Sequence, residues 1–452
     1  MSSLKEKIYS LTNGDIKETI VNFMVPVLIG QLLNQIYHIA DAVIVGQALG
    51  MQELASVVSA APLLFLATGL SLVLASVTEE LITECFNRKD KDGVPDAVHT
   101  SVLISLIIAV IVSVAGYFLA EGMLKLMRTP FDILTDAVRY LRICFAGYWA
   151  MLLYQVLKGV IHAGSDTKGP LYYLMASVAL NIVLDLVFVM VLRMGVSGAA
   201  YATVISQILS MILVLKDVLK EKGPTGLRLS SLRISKPAAK EISRMLGPAL
   251  LQDFAFDFPA VLIQIFINDF GSAAIAGIGA AVRTEEFIFL FTDVFAMSGA
   301  AFLSQNIAAG EYKRAKKAMS FLFVTAVLFI EIAGILTFLF APSIIRMYCP
   351  HIDVVHFGSD RLRVVSLFYF LVGFCHVSSA IMRATGRERQ SMLVMVFCWF
   401  LARILLLACL GNVLHVIELA YWIYPMTWSL SAGFYAYFML KTRIRKPRTA
   451  KK

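Results

Sequence analysis

Three polar side chains inside long apolar segments are the residues of this chain best suited to chemistry. Asp41 ends the polar part of one such segment, and Asn181 and Asp185 lie one helical turn apart in another. A carboxylate in hydrocarbon is costly unless it faces a partner or a wet cavity, so it indicates a functional site. Carboxylate and amide oxygens are hard ligands that suit a proton or a sodium ion. We therefore predict a cation site at these three residues.

Thr203 belongs to the same predicted cation site because of its depth. If the apolar segments are membrane-crossing helices, Asp41 and Asp185 both lie towards the outer side of the membrane. Thr203, on the segment after Asp185, reaches a comparable depth. Threonine also commonly joins membrane helices by hydrogen bonds, and the sequence leaves that alternative open.

A polar stripe precedes Asp41 on the first apolar segment. Its side chains fall on one face of a helix about 120° wide. A polar face in lipid must point to the protein interior or to water, so we predict that it lines a substrate cavity. The residues of the stripe are Gln31, Asn34, Gln35 and His38.

The second half of the chain carries intramembrane acids of its own. Asp253 and Asp257 are one turn apart in one segment, and Glu285 and Glu286 lie in the next, among several phenylalanines. Carboxylates beside aromatic faces attract organic cations, so we add these four acids to the predicted substrate cavity. The alternative is that Arg283 simply neutralises Glu285 or Glu286.

Composition places these segments in a membrane. The chain has 452 residues, of which 59% are hydrophobic and 16% charged, against about 25% charged residues in a soluble domain. Apolar runs long enough to cross a bilayer recur throughout. We place twelve spans at about residues 17–45, 53–77, 96–120, 134–157, 168–192, 196–216, 240–268, 274–303, 317–341, 360–382, 390–411 and 416–440. The predicted fold class is an all-α polytopic membrane protein.

The distribution of positive charge predicts orientation. The net charge of +9 is not spread over a nucleic-acid-binding face, because Lys and Arg gather in alternate connections between spans. That asymmetry follows the positive-inside rule. We therefore expect a multi-pass protein of the cell membrane with both termini in the cytoplasm, the lipid bilayer as its surroundings and no nucleic-acid partner.

An internal repeat divides the chain. Pro26-Val-Leu-Ile resembles Pro248-Ala-Leu-Leu, and Gly159-Val-Ile-His-Ala resembles Ala380-Ile-Met-Arg-Ala, at an offset of about 221 residues. Parallel repeats of six spans form two lobes related by an axis along the membrane normal. The predicted domains are an N-lobe at 1–216, a cytoplasmic linker at 217–239, a C-lobe at 240–441 and a basic cytoplasmic tail at 442–452.

Several runs resemble the multidrug and toxic compound extrusion (MATE) family, most closely its prokaryotic DinF-like branch. The runs are Pro26-Val-Leu-Ile-Gly, Asp41-Ala-Val-Ile-Val-Gly, Asn181-Ile-Val-Leu-Asp, Gly195-Val-Ser-Gly-Ala-Ala-Tyr-Ala-Thr and Gln305-Asn-Ile-Ala-Ala-Gly. The resemblance implies alternating access driven by a proton or sodium gradient and export of amphipathic, cationic organic compounds. It places the coupling cation in the N-lobe, at the positions of the predicted cation site. In another branch, similar to NorM, acids of the C-lobe hold the cation, and that alternative stays open.

Other functions are less consistent with the sequence. A flippase for lipid-linked precursors, from the same superfamily, is the main alternative, although such proteins more often have fourteen spans and a cationic cavity. A membrane enzyme would need a reactive motif such as His-Glu-x-x-His or Gly-x-Ser-x-Gly, and we find none. We expect no catalytic residue, no metal site and no cofactor beyond the coupling ion. We also expect the protein to be monomeric.

Overall fold

The computed structural model describes residues 11–90, 93–164, 168–221 and 223–441, which form helices and turns without a strand. Two π-helical segments, Leu186–Val191 and Val396–Leu401, prolong α5 and α12 without a break. The α-helices are α1 (Ile16–Ala48), α2 (Met51–Asn87), α3 (Gly93–Leu126), α4 (Phe131–Ala163), α5 (Lys168–Asp185), α6 (Val196–Lys220), α7 (Lys236–Asn268), α8 (Ser272–Ala308), α9 (Tyr312–Tyr348), α10 (Ile352–Ser366), α11 (Tyr369–Ala384), α12 (Glu388–Met395), α13 (Ala402–Leu414) and α14 (Glu418–Lys441).

These helices agree with the predicted spans. Ten continuous helical segments among the described residues are long and apolar enough to cross a membrane. Helices α10 and α11 form an eleventh if they are one span, bent by 55° at its break. The twelfth predicted span is α14, whose 24 residues are long enough to cross, at about 1.5 Å per residue. Its many Tyr, Trp and Ser side chains make it less apolar than the others.

A glutamate stabilises the break between α10 and α11. The first N–H groups of a helix have no partner within the helix itself. At this break the N–H of Phe370 donates to Oε2 of Glu331, on α9, at 2.9 Å. The carboxylate thus caps the start of α11, and the bent span keeps its backbone satisfied.

Helix α3 shows how the sequence of a membrane helix determines its packing. Its outward face carries large apolar side chains, such as Ile111 and Phe118, which are 60% and 73% exposed. Small side chains on the opposite face let neighbouring helices approach closely, as is typical of helices in lipid. The buried small residues are Ser101, Ser105, Ala109, Ser113, Gly116 and Ala120.

The helices form two compact units. One comprises residues 36–279 and 347–354, and its apolar core includes side chains from α2, α3, α4, α6 and α7, such as Ile82 and Val214. The other comprises the described residues within 1–35, 280–346 and 355–452. Its core includes Phe302 and Leu322, and its largest fully buried side chains include Trp428.

These units are defined by packing and do not coincide with the lobes of the repeat. Helix α7 belongs to the same unit as α2 to α6, although the repeat assigns it to the C-lobe. The domain boundaries at 216, 239 and 441 therefore stay a prediction, and the tail at 442–452 lies outside the described residues. We call residues 36–279 with 347–354 the first unit, and the remainder the second unit.

Candidate functional site

The predicted cation site lies within the first unit. Asp41 is on α1, Asn181 and Asp185 are on α5, and Thr203 is on α6. Asn181 and Asp185 are completely buried, each with 0% exposure. Asp185 is the last residue of α5 before the π-helical segment Leu186–Val191, and such interruptions of an α-helix are frequent at functional sites.

Contacts among these side chains define the cluster. The hydroxyl of Tyr37, one turn before Asp41, donates to Oγ1 of Thr203 at 3.2 Å. Asp41 lies close enough to Asp185 for the two carboxylates to interact electrostatically, and Tyr37 lies within electrostatic range of both. The structure thus places Asp41, Asp185 and Thr203 in one neighbourhood, with Asn181 one turn from Asp185.

The amide of Asn181 and the carboxylate of Asp185 have unused hydrogen-bonding capacity. Neither polar atom of Asn181, and neither carboxylate oxygen of Asp185, has a hydrogen-bond partner among the described residues. Buried polar atoms are nearly always paired, so each exception needs an explanation. A bound proton or metal cation would supply what these oxygens lack, since it offsets the cost of burying the charge.

The turn between α5 and α6 brings these residues together. Arg193 and Gly195 adopt the left-handed conformation, with φ of 52° and 63°, which glycine adopts without strain. The chain reverses there, and α6 packs back along α5. A hydrogen bond from Ser177 Oγ to the carbonyl of Ser206, at 2.6 Å, joins the two helices further along. Asp185 and Thr203 therefore lie on adjacent antiparallel helices.

Sequence reasoning missed Tyr37 and Cys144, both of which lie within electrostatic range of Asp41. Tyr37 had a detectable signal, because residues four apart share a helical face. Cys144 had none, since its proximity to Asp41 follows only from the tertiary structure.

A second candidate site is a cavity of about 420 Å³ in the second unit. Its walls combine charged side chains with aromatic rings. Four of the predicted substrate residues line it, namely Gln31, Gln35, Glu285 and Glu286. The other lining residues are Val282, Phe289, Leu290, Asp293, Arg361, Val372, His376, Trp399, Arg403, Tyr424 and Trp428.

Each carboxylate of this cavity has a basic partner. Glu285 forms a two-pronged ion pair with Arg361, at 2.9 and 2.8 Å. Glu286 accepts from Arg283 at 3.0 Å, so the neutralisation anticipated as an alternative applies to Glu286. Asp293 lies 2.8 Å from Nδ1 of His376.

Arg361 and Arg403 are the functional candidates that sequence reasoning missed in this cavity. Both are buried, at 1% and 9% exposure, and their guanidinium groups each lie 4.5 Å from the ring centre of Tyr424. Arg403 had a plain signal, because it interrupts the apolar run Cys398-Trp-Phe-Leu-Ala-Arg-Ile-Leu-Leu-Leu. The rule that selected Asp41 applies equally to a buried arginine.

The remaining predicted substrate residues lie elsewhere. Asp253 lines a cavity of about 570 Å³ in the first unit, together with Glu80. The side chains of Asp253 and Asp257 both approach Gly69 of α2, where a Cβ would lie 2.1 and 3.0 Å from their carboxylate oxygens. The ring of His38 lies next to that of Tyr37, and the side chain of Asn34 lies outside the described residues. Their membership of a substrate cavity stays a prediction.

Apolar helices that enclose buried charged side chains, some paired and some not, are typical of a secondary membrane transporter. The model of the MatE family matches this chain twice, over residues 26–187 and 248–408, and the two matches start at Pro26 and Pro248, which the internal repeat also aligns. The chain therefore belongs to the MatE family. It is a multi-pass membrane transporter of the multidrug-efflux type and not an enzyme.

Individual relatives agree with this assignment. The chain is 26% identical to the probable multidrug resistance protein YpnP of Bacillus subtilis, over 88% of this chain and 89% of YpnP. It is 22% identical to the multidrug export protein MepA of Staphylococcus saprophyticus, over 86% of each. An inward-facing structure of a multidrug resistance MATE family transporter is similar with a TM-score of 0.80, at 20% identity, over 91% of this chain and 94% of that one. The prediction of twelve transmembrane helices in two repeated lobes is confirmed.

Proposed function

We propose that this protein is a cation-coupled antiporter that exports amphipathic, cationic organic compounds by alternating access. The observation that carries the coupling-ion assignment is the buried Asp185 carboxylate, which has no hydrogen-bond partner among the described residues and lies near Asp41. A site of this kind is costly to keep empty. An imported cation would offset that cost each time it binds.

Coupling requires only that the two ligands prefer different conformations. The cation stabilises the state in which Asp41 and Asp185 lie close together, and the exported compound favours the other state. A proton needs no more than a carboxylate. Sodium would use several oxygens, for which Asp41, Asn181, Asp185 and Thr203 are the candidates.

The exported compound occupies the cavity of the second unit. Its aromatic walls suit an apolar ring system, and Asp293, whose partner His376 is charged only when protonated, presents a carboxylate to a positive group. The mixed charge of this cavity favours an organic solute over the pyrophosphate of a lipid-linked precursor, for which a uniformly cationic lining would be expected.

The remaining features of the proposal concern the setting in which the protein works. The protein acts as a monomer in the cell membrane, with both termini in the cytoplasm, no nucleic-acid partner and no cofactor beyond its coupling ion. The distribution of Lys and Arg between alternate connections supports this orientation.

The test is efflux of a fluorescent organic cation from proteoliposomes under an imposed sodium or pH gradient. Wild type should export the dye with one of the two gradients. Asp185→Asn should export at least tenfold more slowly, because the charge that binds the coupling cation is lost and each step of about 1.4 kcal/mol of binding free energy corresponds to a factor of ten. Asp132→Asn makes the same change at an exposed position of α4 and should export normally.

Normal gradient-driven export by Asp185→Asn would remove Asp185 from the coupling site. Export that needs neither gradient would reject cation coupling altogether. If the dye does not move while a fluorescent lipid-linked substrate is translocated, the flippase alternative is correct.

A further inference from the structure

Among the charged side chains that line the second-unit cavity, Arg403 is the one for which the described residues provide no countercharge. The three carboxylates that line the cavity pair with Arg361, Arg283 and His376. Among the described residues, no carboxylate lies within ion-pair distance of Arg403. Its Nη2 donates to the Thr427 hydroxyl at 3.2 Å, and its buried Nε has no hydrogen-bond partner there.

The surroundings of Arg403 hold it in place but do not neutralise it. Its guanidinium lies 4.5 Å from the ring centre of Tyr424 and 5.7 Å from that of Trp399. Arg361 lies against the same Tyr424 ring, so two guanidinium groups flank one aromatic ring. Both carboxylate oxygens of Glu285 accept hydrogen bonds from Arg361, so Glu285 does not neutralise Arg403. A buried charge without a partner is unfavourable, so an additional anion at Arg403 would stabilise the site.

We propose that Arg403 anchors a negatively charged group, a carboxylate or a phosphate, of the exported organic compound. This inference rests on the proposed export of amphipathic compounds and specifies which part of the compound binds where. The planar guanidinium suits a two-pronged contact with such a group. Rings of Phe289, Trp399 and Trp428 line the same cavity and provide the surface for an aromatic body.

The positive group of the compound has its own partner. Asp293 also lines the cavity, and its neighbour His376 is charged only when protonated, so a positive group can bind at the same time. The cavity volume of about 420 Å³ lies within the usual range for small-molecule sites. The proposed compound therefore keeps the positive group of the proposed function and carries, in addition, a carboxylate or phosphate that binds Arg403.

A matched pair of dyes tests this proposal. The probes are a rhodamine with a free carboxylate and the methyl ester of the same dye, which differ by one negative charge. Binding to the protein in lipid nanodiscs is measured by fluorescence anisotropy without any ion gradient, against empty nanodiscs. Wild type should bind the acid at least about tenfold more tightly than the ester, since hydrogen bonds to charged groups are individually strong.

Three variants separate the contribution of Arg403 from general effects. Arg403→Gln should abolish the preference for the acid, and Arg403→Lys should retain part of it. Arg363→Gln, which removes an exposed arginine from the adjacent helix α10, should leave the preference unchanged.

Equal binding of acid and ester by wild type would overturn the proposal, whatever the variants do. So would failure of wild type to bind either dye, or equal losses for both dyes in Arg403→Gln. These results concern binding at equilibrium. They are therefore independent of whether Asp185 couples export to an ion gradient.

Discussion

The ion pair between Glu285 and Arg361 allows a quantitative test of how buried charge is held in this protein. The two side chains are 3% and 1% exposed, and two hydrogen bonds of 2.9 and 2.8 Å join them. Glu285→Gln leaves the guanidinium buried without its countercharge. The variant should therefore lose about 3–5 kcal/mol in its free energy of unfolding.

Two reference variants show whether the cost comes from the unpaired charge. Glu285→Leu combined with Arg361→Met removes both charges and should lie within about 2 kcal/mol of wild type, because apolar replacement of a buried pair is often neutral. Glu121→Gln breaks an exposed pair with Lys125, where the contact is 2.8 Å and both side chains are about half exposed. That change should cost less than about 1 kcal/mol.

The assay is unfolding by sodium dodecyl sulfate of protein in mixed micelles, followed by circular dichroism. Glu285→Leu and Arg361→Met, made singly and together, form a double-mutant cycle. If Glu285→Gln costs no more than Glu121→Gln, or if the double variant loses the sum of its two single losses, the pair is not held as the structure indicates.

Two further predictions concern the first unit. Gly159→Ala should destabilise the protein by about 1–3 kcal/mol, because the new methyl group would lie 2.7 Å from the backbone carbonyl oxygen of Ala75, which cannot turn away as a side chain can. Gly122→Ala, where nothing lies within 4 Å, should be neutral or slightly stabilising in the same unfolding assay. Saturating coupling ion, at about a hundredfold excess over its dissociation constant, should stabilise wild type by about 2.7 kcal/mol. Asp185→Asn should lose this increment, and an equal increment in that variant would place the ion elsewhere.

Much of the fold was predictable because lipid allows few alternatives. Every backbone polar group must be satisfied within the membrane, so a long apolar run becomes a helix. The predicted spans accordingly match α1 to α9 closely. The bend between α10 and α11 was not predictable, because it depends on Glu331 of α9, which caps a helix start almost forty residues away in sequence.

The two sites differ in how well the sequence identified them. Asp41, Asn181 and Asp185 carried a strong signal, because each is an acid or amide within an apolar run, whereas Thr203 was selected by its depth alone. The structure places these residues on α1, α5 and α6. The partner of Glu285 could not be found in this way. Arg361 lies near the start of a predicted span, where an arginine is usually an interfacial residue. Its contact with Glu285 arises only from the packing of the helices.

The repeat duplicates the helices but not their chemistry. At the offset of about 221 residues, Leu262 and Leu406 stand where the first half has Asp41 and Asp185. In the other direction, the counterparts of Arg361 and Arg403 are Tyr140 and Ile182.

This chemical asymmetry matters for coupling. If both halves bound both ligands, cation and substrate would compete at each site, and neither site would need to affect the other. In the proposed mechanism, neither half carries the charged residues of the other's site at the equivalent positions, so the two ligands do not compete and influence each other through the conformation of the protein. Two separate sites linked by a shared conformational equilibrium are the minimal arrangement for an antiporter of this kind. The leucines at positions 262 and 406 are therefore as informative about the proposed mechanism as Asp41 and Asp185.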